Sequence, residues 1–87
     1  MIAKKLTIGA QDGLHARPAG DLVKLVKSFP GTQVTISTVA RTVNASSILS
    51  ILSLALKKGT EVEIKADGPD EDKALAEVIR FLGSLEG

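Results

Sequence analysis

The spacing of apolar residues switches between two and three-to-four along the chain, and the predicted elements follow those switches. Ile2, Leu6 and Ile8 share one face at period two, with Lys5 and Thr7 opposite and Lys4 interrupting the apolar face. This predicts a first strand over residues 2–8. Gly9 to Gly13 (GAQDG) has loop chemistry. Ala16, Ala19, Leu22, Val23, Val26 and Phe29 are then spaced by three and four, one apolar face of a helix. Pro18 fits that helix, because its missing N–H falls in the first turn, where no intrahelical acceptor exists. His15 is then the N-cap or its neighbour. Gly20 weakens the helix by about 1 kcal/mol relative to alanine and leaves room for close packing against a neighbour. Pro30-Gly31 ends the helix.

Val34 and Ile36 alternate with Thr35 and Ser37, a second strand near 32–38, and Val39 to Val43 reads as a third. From Ser47 to Leu56 the period turns helical. Ile48, Leu49, Ile51, Leu52, Ala55 and Leu56 share an arc, Ser47, Ser50 and Ser53 lie opposite, and Leu54 falls toward the serine side. Lys57 and Lys58 suit the negative end of that helix, and Gly59 suits a left-handed cap. Val62, Ile64 and Ala66 alternate with Glu61, Glu63 and Lys65 as a fourth strand. Asp67-Gly68-Pro69-Asp70 is a turn, and a last helix runs over 71–85. Asp70 can cap it, and Ala74, Leu75, Val78, Ile79, Leu82 and Leu85 form its buried stripe.

The order β-α-β-β-α-β-α, with one apolar stripe per helix, predicts an α+β two-layer sandwich. All the helices would cover one sheet face and leave the other wet. Eighty-seven residues suffice for one core, so 1–87 is expected to be a single domain. Phe29 and Phe81 are the only aromatic residues, so that core must be aliphatic.

Composition removes several function classes. Eleven basic against ten acidic residues leave a formal net charge of +1, with no field for nucleic acid or an anionic membrane. Absent Trp and Tyr remove base-stacking platforms. With no cysteine and one histidine, thiol chemistry and His-rich metal sites are excluded, and no metal or cofactor is expected. The acidic run Asp67, Asp70, Glu71, Asp72 lacks the spacing of a calcium loop and is read as capping and dipole complementation. No apolar stretch reaches bilayer length and no leader segment is visible, so the expected location is the cytoplasm.

The remaining chemistry concentrates in Gly13-Leu14-His15-Ala16-Arg17-Pro18-Ala19-Gly20 (GLHARPAG). It sets the one imidazole at a helix N-terminus, with a guanidinium two residues on. Free backbone N–H groups and the positive dipole end converge there and suit a phosphate. Arg17 would add a charge-assisted contact. The same surroundings disfavour a protonated imidazole, so His15 is expected to be neutral and nucleophilic near pH 7. A neutral histidine beside an anion cradle suits covalent phosphorylation at ring nitrogen.

The GLHARPA segment, the Val43-Asn44-Ala45-Ser46-Ser47-Ile48 block, the element order and the Asp67-Gly68 turn together resemble the HPr family. These are the histidine-containing phosphocarriers of the bacterial phosphoenolpyruvate:sugar phosphotransferase system. The resemblance covers essentially the whole chain. It implies an open-faced β-sandwich, with a four-stranded antiparallel sheet and three helices on one face. It implies that His15 is phosphorylated on Nδ1, that Arg17 neutralises the phosphoryl group, and that Ala16, Arg17 and Pro18 cradle it. Lys24 and Lys27 match basic positions that meet an acidic partner, and Ile48, Leu49 and Leu52 match an apolar docking patch. Ser47 matches a regulatory serine, with Ser46 beside it as the less favoured choice; Ser50 and Ala55 stand where glycine is common.

The implied partners are enzyme I of the phosphotransferase system, sugar-permease A domains and an HPr serine kinase/phosphorylase. The chain would be a carrier and not a stand-alone enzyme, and a monomer suits a shuttle. A regulatory paralogue, a nitrogen or dihydroxyacetone-kinase branch, and a small RNA-binding or other interaction module are the competing readings. The retained His15 argues against the first, and the charge and missing aromatics argue against the last.

Overall fold

The computed structural model describes residues 1–9, 14 and 16–85. Its elements are β1 (Ile2–Thr7), α1 (Ala16–Lys27), β2 (Gln33–Ser37), β3 (Thr42–Asn44), α2 (Ile48–Ser53), β4 (Glu61–Asp67) and α3 (Glu71–Ser84). The strands make one sheet in the order β1-β4-β2-β3, every neighbouring pair antiparallel.

The register sorts the side chains onto two faces, because strand residues alternate. Ile64 pairs with Ile36 and Lys4, and Ile36 pairs with Val43, so these four form one row across the sheet. On that face Val34, Ile36, Val62, Ile64 and Ala66 are buried. The helices supply Leu22, Val26, Ile51, Val78 and Leu82 to the same aliphatic core. α3 packs on β4, β1 and β2, α2 packs on β3, and α1 lies against α2 and α3. The next row, Lys5, Glu63, Ser37 and Thr42, points to the opposite face. Ser37 and Thr42 share a hydroxyl–hydroxyl hydrogen bond of 2.8 Å there, and Lys65 meets Glu63 at 3.6 Å. Polar ladders of this kind leave the sheet open on that side, as the alternation in β2 and β4 predicts.

Four details depart from the sequence pattern. The third strand is Thr42–Asn44 and not Val39 to Val43, because the Thr38 side chain builds a turn first. Its Oγ1 accepts from the N–H groups of Ala40 and Arg41, and its own N–H donates to the Arg41 carbonyl at 2.9 Å. Val39 is left wholly exposed at the tip. Second, α2 stops at Ser53 instead of reaching Leu56, since Ala55 takes a left-handed φ of 51°. Leu56 is buried from an irregular connector, not from a helix face.

Third, Lys57, Lys58 and Gly59 therefore form a separate turn before β4 instead of a helix end, closed by Thr60 N–H on the Lys57 carbonyl. Fourth, Asp70 occupies the N-cap position of α3, but its carboxylate makes no capping bond. Glu71 instead fastens the turn that precedes the helix, accepting the Gly68 N–H at 3.3 Å and the Met1 ammonium at 3.1 Å. The Asp70 N–H goes to buried Thr32, whose Oγ1 accepts it at 3.0 Å. The turn before α3 and the start of β2 are thereby joined.

Candidate functional site

The site is built around the start of α1. Leu14 is buried, and its N–H donates to the Leu56 carbonyl at 3.1 Å. Two residues later α1 begins at Ala16, so the N–H groups of Ala16 and Arg17 lie in the first turn without intrahelical acceptors. Pro18 also lies in that turn but has no N–H to offer, so its share is to fix the backbone. No acidic side chain occupies this turn to neutralise the dipole. Ala16 and Arg17 are exposed and Pro18 is half-buried. His15 lies outside the described residues, as does most of the loop before it.

Helical spacing places Arg17, Gly20, Lys24 and Lys27 on a single stripe, three or four residues apart. The three cations on it are exposed. Gly20 marks where the stripe meets α2: an added Cβ would lie 3.9 Å from Ile48 Cδ1. α2 presents Ile48, 41% exposed, and Leu49, 81% exposed, with Leu52 half-buried beside them. Leu54, which the helical wheel sets toward the serine side, is half-buried and packs against the core. A six-residue helix buries one narrow stripe centred on Ile51, so the exposed apolar residues are those at its first turn. The proposed basic and apolar docking residues thus adjoin one another along the α1–α2 seam.

The two serines before α2 differ in what they do. Ser47 is the N-cap, with φ −120° and ψ 118°, and its hydroxyl accepts the Ser50 N–H at 3.3 Å. Ser46 donates from both its N–H and its hydroxyl to Asn44 Oδ1, at 2.9 and 2.7 Å. Ser46 also lines a cleft of about 250 Å³ together with Lys27 at the end of α1. Arg41 donates to the Ser53 hydroxyl, which in turn donates to the Ser50 carbonyl at 2.6 Å, fastening the β2–β3 turn to α2.

Among the described residues, no group of three or more Asp, Glu, His or Cys side chains could hold a metal. Among them no helix is long and apolar enough to cross a membrane. One contact that the residue pattern does not announce is the bond from Leu14 to Leu56, because both partners are backbone groups.

Comparison with known proteins bears on this arrangement. A family model described as "PTS HPr component phosphorylation site" matches residues 2–84. Phosphocarrier protein HPr of Haemophilus influenzae is 36% identical over 86 residues, covering 99% of this chain and all of the relative. The HPr of Vibrio cholerae is 34% identical over 98% of this chain and 99% of its own length. The crystal structure of HPr-C-His from Thermoanaerobacter tengcongensis superposes with a TM-score of 0.91 at 33% identity, covering 98% of this chain and 94% of that one.

Proposed function

The chain belongs to the HPr family of phosphocarriers, and from that membership we propose that it accepts a phosphoryl group from phospho-enzyme I on His15 and passes it to sugar-permease A domains. The observation that carries this reading is the start of α1 at Ala16, immediately after His15, with Arg17 exposed in a first turn free of acidic side chains.

In the transfer, the lone pair of Nδ1 of His15 attacks phosphorus in line with the donor's N–P bond. That bond breaks, its electron pair returns to the donor imidazole, and a new N–P bond forms. Nδ1 must be unprotonated for this, with the ring proton on the other nitrogen. The N–H groups of Ala16 and Arg17 and the Arg17 guanidinium face the charge spread over the equatorial oxygens. Reversing the same step onto a second partner empties the carrier. The chain is phosphorylated in one encounter and emptied in the next, and so acts as a carrier, not a catalyst, in a cytoplasmic relay.

Lys24 and Lys27 attract an acidic partner along the α1 stripe, and Ile48, Leu49 and Leu52 dock it beyond Gly20. Phosphorylation of Ser47 by an HPr serine kinase would add about −2 charge at the first turn of α2, beside that patch, and repel the same partner. A monomer suits these alternating encounters. The test is to mix the protein with enzyme I and phosphoenolpyruvate. An acid-labile, base-stable phosphate should appear on wild type and be missing from His15→Ala. Wild type left unlabelled by enzyme I overturns the reading.

A further inference from the structure

We propose that the Leu56 carbonyl, set in place by the left-handed backbone of Ala55, is the positioning group for the segment that bears His15. It does so by holding the Leu14 N–H. The proposal rests on the phosphocarrier reading and extends it from the cradle to the connector between α2 and β4.

Two ends of the stretch between β1 and α1 are fastened, and both fastenings are to that connector. At one end Ile8, just past β1, donates its N–H to the Thr60 carbonyl at 2.8 Å and accepts the Gly59 N–H at 2.7 Å. At the other end Leu14 donates to Leu56 at 3.1 Å. Leu14 and Leu56 are both buried, so the bond between them is shielded from competing water. The Leu14 bond is the nearer to the chemistry, because α1 starts two residues later. The orientation of the first-turn N–H groups is therefore tied to where the Leu56 carbonyl points.

That carbonyl is aimed by an unusual residue. Ala55 has φ 51°, a region that costs an L-residue with a Cβ roughly 1 kcal/mol or more. It is the only non-glycine residue with positive φ among the described residues. The left-handed turn ends α2 after Leu54 and redirects the chain, so that Leu56 enters the core instead of continuing the helix. Local strain held at such a position needs surrounding contacts to maintain it, and the Leu14–Leu56 bond is one. α2 also carries the apolar docking residues. A partner seated on Ile48 and Leu49 therefore bears on the element that leads, through Ala55 and Leu56, to the acceptor segment.

The test removes one hydrogen. The chain is made by chemical ligation with Leu14 replaced by its α-hydroxy acid, which deletes the N–H and keeps every side chain. A control ester at Leu85 deletes the bond from Leu85 N–H to the Leu82 carbonyl at the end of α3. Steady-state transfer from phospho-enzyme I should show kcat lowered about tenfold by the Leu14 ester, with KM within about twofold, and neither changed by the Leu85 ester. Ala55→Val, which makes the left-handed conformation harder to hold at an exposed position, should lower kcat in the same sense. Native kcat in both the Leu14 ester and Ala55→Val overturns the proposal. So does an equal loss in the two esters, which would report stability alone, or a rise in KM without a fall in kcat. Wild type that takes no label removes the phosphocarrier reading itself.

Discussion

Replacing Gly20 by alanine tests the α1–α2 seam on which the proposed docking surface is built. Glycine in a helix interior costs about 0.8–1.0 kcal/mol relative to alanine through backbone entropy. Whether that amount is recovered depends on what the new methyl meets. Among the described residues outside its own helix turn, its nearest neighbour would be Ile48 Cδ1 at 3.9 Å, an ordinary van der Waals contact. Gly20 is half-buried, so the methyl also removes apolar surface from water, worth roughly half of the ~0.8 kcal/mol per buried carbon group. The expected gain is about 1.2–1.4 kcal/mol. For 87 residues the unfolding entropy is roughly 0.18 kcal/mol/K, so Tm should rise by about 7–8 °C. Thermal unfolding followed by circular dichroism measures this, with guanidinium titration checking that the m-value is unchanged. An unchanged or lowered Tm would mean that α1 and α2 approach more closely than 3.9 Å allows, and that glycine is required there.

The other outcomes follow from equally specific contacts. Gly68→Ala should be severe: φ is 149°, and a Cβ would stand 2.5 Å from both the Gly31 carbonyl oxygen and Thr32 Cα, so a loss above about 3 kcal/mol is expected in denaturant titration. Leu49→Ser, at a residue 81% exposed, should change stability by less than about 0.5 kcal/mol while raising KM for transfer from phospho-enzyme I. Glu71 is held below its ordinary pKa of 4.5 by hydrogen bonds from the Met1 ammonium and the Gly68 N–H. The ammonium is held above its ordinary 8.0 chiefly by its hydrogen bond to Glu71. A lowered carboxylate stabilises above 4.5 and loses that contribution as pH falls through the folded value, whereas a raised amine stabilises below 8.0 and loses it as pH rises. The Tm difference between wild type and Glu71→Gln in the 87-residue chain should therefore be largest between those limits. It should shrink on both sides, and salt should reduce it throughout because the ammonium is exposed and the carboxylate only half-buried.

Much of this architecture is legible in the chain because the strongest patterns belong to elements with one dry face. β4 alternates without a break, and α1 and α3 carry apolar stripes several turns long, so their existence and their faces follow directly. The misjudged places are where a side chain or a single backbone residue overrides the pattern. Thr38 satisfies the N–H groups of Ala40 and Arg41 and shortens β3, although Val39 looks like a strand residue. Leu54 and Leu56 continue an apolar run, so nothing in their spacing reveals that Ala55 ends α2. Asp70 has the chemistry of a cap, yet Glu71 is better placed to receive the Gly68 N–H. In the candidate site, the basic stripe is written in helical spacing, and Gly20 signals a close approach without naming Ile48 as the neighbour. The Leu14–Leu56 bond is not, because it joins backbone groups far apart in sequence.

The carrier role is tested most directly by the second half of the relay. Phosphorylated chain, purified away from enzyme I, is mixed with a sugar-permease A domain, and the phosphate is located on each protein by mass spectrometry of peptides kept at alkaline pH. The group should start on His15, leave it, and appear on the A domain, returning the chain to its unmodified mass. Phosphate found on another residue, or kept on His15 by a chain that hands it to no A domain offered, would contradict it.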